Sequence, residues 1–433
     1  MTSIGFHYFP DEQHYRRADL QTWLPELVSL DAKWVTLISS MTRAVPEAFI
    51  RGLLDGGIEP VIHLPAVPTR PDPQHVASHT LSQLFSSYAR WGVRFVSTFS
   101  EPNMRAAWAP KDWGQAGLVE RFLDVLIPVL QAQMAAGLQP VFPALRAGGD
   151  YWDTAFLDAS LTGLIQRGQV DLARELTFAL NLWSYNRPLD WGSGGQARWP
   201  DARPYLTPPG SQDQRGFHLY EWYDQIIQNR LGEQRPFVTL AGGPRIGDQT
   251  DKNLPPIDDL RHASCIQDLI GALGDDYLPK HLLNINLWLL AAGEGSPFAA
   301  EAWFKPGGTT LTAAQALRRA PAHGLPAARR RINESKALGL EQAVKGMAPE
   351  PEKLLRHYVL LPVFEWGVSD WHWSAALEFV KAHRPVCGFS PEEATHAERV
   401  TIVGNEQGVS PAIEEQLRQA GCTVDRLSLS QAA

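Results

Sequence analysis

The stretch LVERFLDVLIPVLQAQMAAGLQPVFPAL, residues 118–145, contains the pattern on which the fold assignment depends. Apolar residues recur at helical spacing from Leu118 to Ala136, which predicts an amphipathic helix. Gly137 follows as a helix-ending residue, because glycine readily adopts the left-handed conformation that caps many helices. A nearly continuous apolar run from Leu138 to Leu145 then predicts a buried strand. A helix, a glycine and a buried strand together make one unit of a parallel β/α fold.

The same unit recurs along the first 290 residues. Short apolar runs alternate with longer helical segments, and Gly56, Gly92 and Gly232 follow predicted helices as Gly137 does. Eight strands are predicted, at Ile4 to Phe9, Trp34 to Ser39, Ile58 to Leu64, Val93 to Ser100, Leu138 to Leu145, Leu176 to Trp183, Pro236 to Leu240 and Leu282 to Leu290. Eight such units predict an α/β fold of the (β/α)8 type, a TIM barrel. A doubly wound sheet is the alternative, but no Gly-x-Gly-x-x-Gly loop follows the first strand.

Three regions are expected along the chain. The barrel covers residues 1–325, a helical connector that packs on the barrel covers 326–395, and a small α/β module covers 396–433. The last region reads as a strand, a helix and a second strand, which is one βαβ unit. Because such a unit needs further strands, the module either adds to the barrel or is truncated.

Composition excludes several classes of protein. With 39 basic and 47 acidic residues the net charge is −8, so no general positive field would attract a nucleic acid. Three widely spaced cysteines, at positions 265, 387 and 422, form neither a metal-binding spacing nor a disulfide framework. The first ten residues lack the regions of a secretory signal peptide, and no run of about 18 apolar residues predicts a membrane span. The location is left open between the cytoplasm and export by another route.

Chemically useful side chains collect where the predicted strands end. In a barrel the loops after the strands build the site. The candidate site residues are His7, Tyr8, His63, Glu101, Asn103, Arg146, Asp150, Trp183, Tyr185, Asn186, Trp288 and, just beyond the eighth strand, Trp303. Carboxylate, imidazole, amide and aromatic groups at one mouth suit a sugar or other polyol, which needs hydrogen bonds and stacking faces. No spacing of His and Asp supports a metal site, and no cofactor is predicted.

Tryptophan is the unusual residue in the composition. The chain has 15, roughly two to three times the number expected from average usage. Eight of them fall at or beyond the predicted carboxyl ends of strands: Trp108, Trp113, Trp152, Trp183, Trp191, Trp199, Trp288 and Trp303. We expect these eight rings on the face where a barrel binds its ligand. Trp366, Trp371 and Trp373 are expected to pack between the tail and the barrel.

Three segments resemble motifs of one enzyme family. The fourth predicted strand ends in Ser100-Glu101-Pro102-Asn103, the sixth ends in Trp183-Ser184-Tyr185-Asn186, and the eighth contains Trp288. In this order they resemble the clan A glycoside hydrolases, specifically divergent cellulase-like barrels, over roughly residues 3–305. The resemblance implies that Glu101 is the general acid/base and that Trp288 lies beneath the bound sugar. Serine stands where that clan has a substrate-binding asparagine before the glutamate.

The seventh strand departs from the family pattern. The clan places its nucleophile in a segment like Thr-Glu-Gly-Gly-Pro, whereas this chain reads Thr239-Leu240-Ala241-Gly242-Gly243-Pro244. The nucleophile position therefore falls on Ala241 or Leu240, and neither is a carboxylate. Glycoside hydrolysis needs a second carboxylate about 5 to 9.5 Å from the acid. The sequence thus predicts a catalytically impaired barrel that binds a carbohydrate or cell-envelope glycan in an aromatic cleft.

Two alternatives stay open. In the first, the protein is an active glycosidase that pairs Glu101 with a loop carboxylate, and the available ones are Asp150, Asp190, Asp248, Glu294 and Glu301. In the second, it is a structural or assembly protein with a vestigial site, whose exposed aromatic residues bind another protein. The C-terminal module offers a further surface for a protein partner.

Overall fold

The computed structural model describes residues 2–69, 79–274, 278–319, 355–362, 370–383, 385–406 and 408–427. The chain divides into two compact units, Met1–Val344 and Lys345–Ala433. The ladders that join the strands of each unit are all parallel. The prediction of an α/β protein with parallel sheets is therefore confirmed.

Eight strands alternate with helices in the described part of the first unit. The strands are β1 (Ser3–His7), β2 (Trp34–Ile38), β3 (Glu59–Leu64), β4 (Phe95–Thr98), β5 (Val141–Phe142), β6 (Thr177–Trp183), β7 (Phe237–Gly243) and β8 (Asn284–Leu287). The helices are α1 (Arg17–Ser29), α2 (Glu47–Asp55), α3 (His79–Arg90), α4 (Pro110–Trp113), α5 (Leu118–Ala135), α6 (Asp153–Gln166), α7 (Val170–Glu175), α8 (Gly195–Arg198), α9 (Leu219–Leu231), α10 (Asp259–Gly274) and α11 (Thr312–Arg319). All eight predicted strands are present, with shifted ends.

The strands of the first unit form two parallel sheets. One has the order β4-β3-β2-β1-β8 and the other has the order β5-β6-β7. Single parallel bridges join the two sheets, between Phe95 and Gln139 on one side and between Phe237 and Leu282 on the other. Neighbouring strands follow chain order and β8 lies beside β1, which is not the order of a doubly wound sheet.

Side chains from six strands meet in the interior of this unit. The cluster contains Trp34, Val61, Phe95, Val141, Ala144, Ala179, Val238 and Leu240. These residues come from β2 to β7 and the segment after β5, so the space between the two sheets is a packed core. Functional groups are therefore confined to the ends of the strands.

Strand β5 is much shorter than the predicted run from Leu138 to Leu145. Only Val141–Phe142 form the strand, and a proline lies on each side, Pro140 and Pro143. Proline has no backbone N–H to donate to a sheet, so it interrupts pairing even where the side chains are apolar and buried. The apolar pattern predicted burial correctly and overestimated the length of the strand.

The described residues of the second unit form a four-stranded parallel sheet with helices. Its elements are β9 (Leu355–Leu360), α12 (Asp370–His383), β10 (Val386–Gly388), α13 (Pro391–Ala394), β11 (Ala397–Val403), α14 (Pro411–Gln419) and β12 (Thr423–Leu427). The strand order is β10-β9-β11-β12. Leu417 and Cys422 belong to the core on one face, and Ala376 of α12 packs with Val359 and Val403 on the other.

The helical connector predicted over residues 326–395 does not match the described part of that range. Strands β9 and β10 occupy part of it, and β9 pairs with β11 along most of its length. The predicted βαβ unit is present as β11, α14 and β12, and β9 covers the edge of β11 that this unit left unpaired. Residues 326–354 and Trp366 lie outside the described residues, as do the side chains of Trp371 and Trp373.

Within the described ranges, no helix has both the length and the apolar character that crossing a membrane requires.

Candidate functional site

The chain turns sharply after β4 and β6, where four residues other than glycine have positive φ angles. Phe99 and Glu101 have φ values of 65° and 45°, and Tyr185 and Asn186 have values of 53° and 50°. A residue with a side chain costs about 1 to 3 kcal/mol in such a conformation, so it persists where the surroundings impose it. The carboxyl ends of β4 and β6 therefore hold their side chains in fixed, strained positions, as functional sites often do.

Glu101 is held by two partners. Its Oε2 accepts a hydrogen bond from Nε of Arg146 at 2.9 Å and forms an ion pair with Nη2 of the same guanidinium at 2.8 Å, and its Oε1 accepts a hydrogen bond from Nδ2 of Asn181 at 3.2 Å. Its side chain is 17% exposed, so the carboxylate is largely but not completely buried. Both oxygens already act as acceptors from the protein's own donors. A ligand that needs a proton from Glu101 would compete with these bonds.

The seventh strand offers no second carboxylate at the expected position. The pairing of β6 with β7 places Leu180 opposite Thr239 and Asn181 opposite Ala241, so Leu240 is an extra residue in a bulge. Leu240 belongs to the interior cluster, and Ala241 is buried beside the strand that carries the Glu101 partner Asn181. Both candidate positions for the nucleophile therefore carry only hydrocarbon side chains.

Two tryptophans and an arginine form the aromatic part of the mouth. The rings of Trp183 and Trp288 meet edge to face, with centroids 5.7 Å apart. The guanidinium of Arg245 lies 5.2 Å from the Trp183 ring centroid and 5.9 Å from that of Trp288. Glu301 binds Arg245 through both carboxylate oxygens, at 2.7 and 2.8 Å, and accepts the indole N–H of Trp288 at 2.8 Å. The indole faces are thus partly covered by the protein's own cation.

Two histidines lie beside this aromatic group. His7, at the end of β1, is buried with its ring centroid 4.7 Å from that of Trp288. Burial and the neighbouring His63 lower the pKa of His7 to about 3. Burial also lowers the pKa of His63, against the effect of its 3.0 Å hydrogen bond to the carbonyl of Phe99. Both imidazoles are therefore neutral at physiological pH.

Several predicted site residues support the backbone. The side-chain amide of Asn103 bonds the backbone of Arg146 and Tyr151, and that of Asn186 bonds the backbone between residues 251 and 255. Both asparagines are fully buried. Asp150 is exposed and accepts the backbone N–H of Arg105. These three residues shape the loops of the mouth, and their polar groups point to protein partners.

Two predicted aromatic contacts belong to the core. Trp303 has no exposed surface, packs edge to face on Phe6 at 4.9 Å and donates its indole N–H to the carbonyl of Trp288. Tyr8 is equally buried, with its ring packed against Tyr15 and Phe49. The expectation that either ring lines the mouth is wrong, because a position beyond a strand end does not fix the direction of the side chain.

Sequence reasoning missed several groups at the mouth. Asn181 lies within β6, two residues before Trp183, and it binds Glu101 although no motif marks it in the sequence. Arg245 follows the conspicuous Gly-Gly-Pro segment but has no motif of its own. Asp153, the first residue of α6, is fully buried and accepts hydrogen bonds from Gly148 N and Tyr223 Oη, and burial raises its pKa. A buried aspartate at a helix start leaves only a weak signal in a sequence.

Two surface clefts lie among described residues of the first unit. One, of about 460 Å³, is lined by Arg187, Pro188, Leu189, Asp190, Arg261, Ser264, Cys265 and Asp268. The other, of about 290 Å³, is lined by residues that include Trp152, Gln196, Arg203, Gln214, Trp222 and Asn229. Neither cleft includes Glu101. Among the described residues, no group of three or more His, Cys, Asp or Glu side chains is placed to hold a metal ion.

Comparisons with known proteins place the fold. No family model matches the sequence, and no curated protein matches it. Among solved structures, a family 39 glycoside hydrolase from the gut symbiont Bacteroides cellulosilyticus WH2 aligns with a TM-score of 0.50 at 11% identity, over 73% of this chain and 63% of that one. A glucosidase from Croceicoccus marinus aligns with a TM-score of 0.43 at 10% identity, over 68% of this chain and 61% of that one.

A third match is Saccharomyces cerevisiae Gas2p in complex with laminaripentaose, at a TM-score of 0.32 and 10% identity, over 76% of this chain and 68% of that one. This chain spans less than two thirds of the length of the first two proteins. The likeness to the family 39 enzyme supports a glycoside hydrolase-like fold. At 11% identity it shows the fold alone.

Proposed function

We propose that the first unit is a closed, glycoside hydrolase-like (β/α)8 barrel that binds a carbohydrate at its mouth without hydrolysing it. The observation that carries this proposal is the state of Glu101, whose oxygens are bound by Arg146 and Asn181 while Ala241 lies opposite Asn181 on β7. The two parallel bridges between the sheets support closure of the barrel.

Hydrolysis needs two carboxyl groups with different tasks. One protonates the leaving oxygen, and the second attacks the anomeric carbon from about 5 to 5.5 Å or activates water from about 6.5 to 9.5 Å. The hydrocarbon side chains of Leu240 and Ala241 do neither. Losing a group of this kind typically removes several orders of magnitude in rate.

Three of the loop carboxylates that could replace the missing one already have partners. Glu301 uses both oxygens on Arg245, Asp248 binds the backbone N–H and the hydroxyl of Thr250, and Asp150 binds a backbone N–H. A carboxylate with such partners would have to give them up before it attacked a sugar. This favours binding over an active glycosidase with an unusual nucleophile.

The surroundings of Glu101 retain what binding needs. The partly exposed Trp288 packs edge to face with the buried Trp183, and Arg146 is partly exposed beside the carboxylate. Aromatic rings next to fixed polar groups bind sugars through stacking and hydrogen bonds. The structural or assembly alternative lacks an observation of comparable weight.

The test combines binding and hydrolysis. Binding of the full chain to immobilised neutral oligosaccharides is compared for the wild type, Trp288→Ala and Trp91→Ala. Trp91 is a matched half-buried control before the amino end of β4, away from the mouth. We expect binding by the wild type and by Trp91→Ala, and at least about tenfold weaker binding by Trp288→Ala.

Hydrolysis of aryl glycosides is measured in parallel for the wild type and Glu101→Gln. We expect both rates to equal the buffer rate. Hydrolysis by the wild type that disappears in Glu101→Gln would establish an active glycosidase and refute the impaired site. Absence of glycan binding by the folded wild type would refute carbohydrate binding and favour the assembly role.

A further inference from the structure

Several neutral polar groups of the described residues are buried without partners, Oη of Tyr8 and Oγ1 of Thr98 among them, and three lie close to Trp183 and Trp288 in structure or sequence. They are Nδ1 of His7, Oγ of Ser184 and Oη of Tyr185, and within the described residues none of them has a hydrogen-bond partner. These residues are 4%, 5% and 7% exposed, respectively. A buried polar atom left unpaired costs about 1 to 3 kcal/mol, so three of them near one site need a physical reason.

The three groups are close to the same two rings, either in space or along the chain. His7 contacts the ring of Trp288, Trp288 contacts Trp183, and Ser184 and Tyr185 follow Trp183 directly in the chain. The charges of Arg146 and Glu101 both act on the hydroxyl of Tyr185. The three unpaired atoms therefore belong to the region that holds Glu101.

The charged groups around Tyr185 are largely engaged with one another. Arg146 binds Glu101, Arg245 binds Glu301, and Arg215 binds Asp213. Asp248 binds Thr250, and the fully buried Asp153 binds Gly148, Gln214 and Tyr223. Each of these arginines is already neutralised by a carboxylate, so a negatively charged ligand would bring an additional, uncompensated negative charge into a partly buried site.

Tyr185 and His7 are both uncharged at physiological pH, as hydrogen-bonding partners of a neutral ligand should be. Burial raises the pKa of Tyr185, against the opposing effect of Arg146, so its hydroxyl keeps its proton. This hydroxyl donates and accepts hydrogen bonds but is not a substitute for the missing nucleophile, which would have to ionise. The imidazole of His7 is likewise neutral.

We propose that the mouth binds a neutral, hydroxyl-rich sugar and rejects acidic glycans, with Tyr185 Oη, Ser184 Oγ and His7 Nδ1 forming hydrogen bonds to its hydroxyl groups. This inference rests on the proposed carbohydrate binding and adds its substrate class. Each of the three groups complements a hydroxyl group, which both donates and accepts a hydrogen bond.

The experiment uses paired probes that differ only at C6. Isothermal titration calorimetry of the full chain compares β-1,4-mannopentaose with its mannuronate counterpart, and 1,4-linked galacto- and gluco-oligosaccharides with their uronates. We expect the neutral member of at least one pair to bind at least about tenfold more tightly than its uronate. The carboxylate of a bound uronate would be desolvated and left without a cationic partner, which weakens its binding.

A hydroxyl deletion tests the assigned contact. We expect Tyr185→Phe to weaken binding of the neutral probe by about tenfold, the effect of one lost hydrogen bond, without lowering the melting temperature. Tyr88→Phe is the matched control, because the buried Tyr88 hydroxyl bonds Ser39 and the backbone N–H of Val45. That variant should lose stability and keep the affinity of the folded protein.

The outcomes separate the two proposals. A uronate that binds more tightly than its neutral partner would overturn the neutral-ligand inference while carbohydrate binding stands. Unchanged affinity in Tyr185→Phe would overturn the contact through Tyr185. If no probe binds the folded wild type, the proposed carbohydrate binding itself is wrong.

Discussion

Two buried histidines make the first unit sensitive to acid. His7 ends β1, and burial, with a smaller effect of His63, lowers its pKa from 6.5 to about 3. His262 lies in α10, and burial lowers its pKa to about 4 against the opposing charge of Asp259. A lowered histidine pKa means that the unfolded chain binds the proton first. The stability that each neutral ring contributes is complete above pH 6.5 and is lost as pH falls towards the folded pKa.

The magnitude follows from the two pKa values. A solution at about pH 5 is about 1.5 units below the histidine pKa of the unfolded chain, 6.5. The folded-state pKa values of His7 and His262 are lower than this solution pH, so both rings stay neutral in the folded protein. At 1.36 kcal/mol per pKa unit, each histidine therefore lowers the free energy of unfolding by about 2 kcal/mol at about pH 5, relative to neutral pH. The two histidines together lower it by about 4 kcal/mol. Choosing this pH makes the result insensitive to the folded pKa of His7.

The perturbation is His7→Gln, which removes the titrating group and keeps a polar side chain. Urea unfolding followed by tryptophan fluorescence reports mainly on the first unit, because 12 of the 15 tryptophans precede residue 345. The stability difference between about pH 7.5 and pH 5 should shrink by about 2 kcal/mol in this variant. His396→Gln, at an exposed ring in the second unit, should leave that difference unchanged.

The comparison uses the difference between two pH values, so a uniform loss of stability in His7→Gln cancels. If the free energy of unfolding falls by the same amount between the two pH values in His7→Gln and in the wild type, His7 does not resist protonation in the folded protein. The reasoning from burial would then be refuted.

Two further substitutions test the packing. A Cβ on Gly5 would lie 2.0 Å from the side-chain oxygen of Asn286 on β8 and 2.4 Å from the backbone oxygen of Trp34 on β2. Gly5→Ala should therefore lower the free energy of unfolding, measured with urea, by about 3 kcal/mol or more. The control Gly271→Ala should not destabilise the protein, because no atom lies within 4 Å of the added Cβ. Asp213→Asn should cost about 3 to 5 kcal/mol in thermal unfolding, because the 1% exposed carboxylate pairs with Arg187 and Arg215. Burial opposes ionisation, but these bonds lower the Asp213 pKa to about 2, so the variant should lose less stability than the wild type as pH falls from about 4 to 2.

Much of the first unit could be predicted because its strands are buried on both sides. A strand of that kind is apolar along its whole length, and the glycines that end the helices separate one unit from the next. Gly137 and Gly232 have φ values of 85° and 80°, as the predicted helix ends require. The same reasoning failed for β9, where Arg356 and His357 interrupt the apolar pattern and the strand exists because β11 offers it an edge.

The candidate site was predictable residue by residue but not as a set of contacts. Glu101, Trp183 and Trp288 stood out because motifs mark the ends of their strands. The bulge at Leu240 shifts the register of β6 against β7 by one residue, and it places Ala241 and not Leu240 opposite the Glu101 partner Asn181. A register shift changes which side chains face each other without leaving a trace in the period of the sequence.

The excess of tryptophan has a structural explanation that the sequence did not indicate. Of the eight rings expected at the mouth, Trp303 is core, and each of the other seven has an arginine guanidinium 4.3 to 6.0 Å from its centroid. Such a stack contributes about 0.5 to 1 kcal/mol at an exposed position and fixes the loop that carries it. Seven of the eight rings are therefore engaged by the protein's own cations.

This use of tryptophan limits how a sugar could bind. Arg245 covers part of both Trp183 and Trp288, so a sugar approaching these rings meets their edges, the guanidinium and the neutral groups of His7 and Tyr185. A ligand held in that way relies on directed hydrogen bonds more than on an open stacking face. The number of tryptophans is thus a poor guide to affinity here, and the unpaired neutral groups are the better guide to specificity.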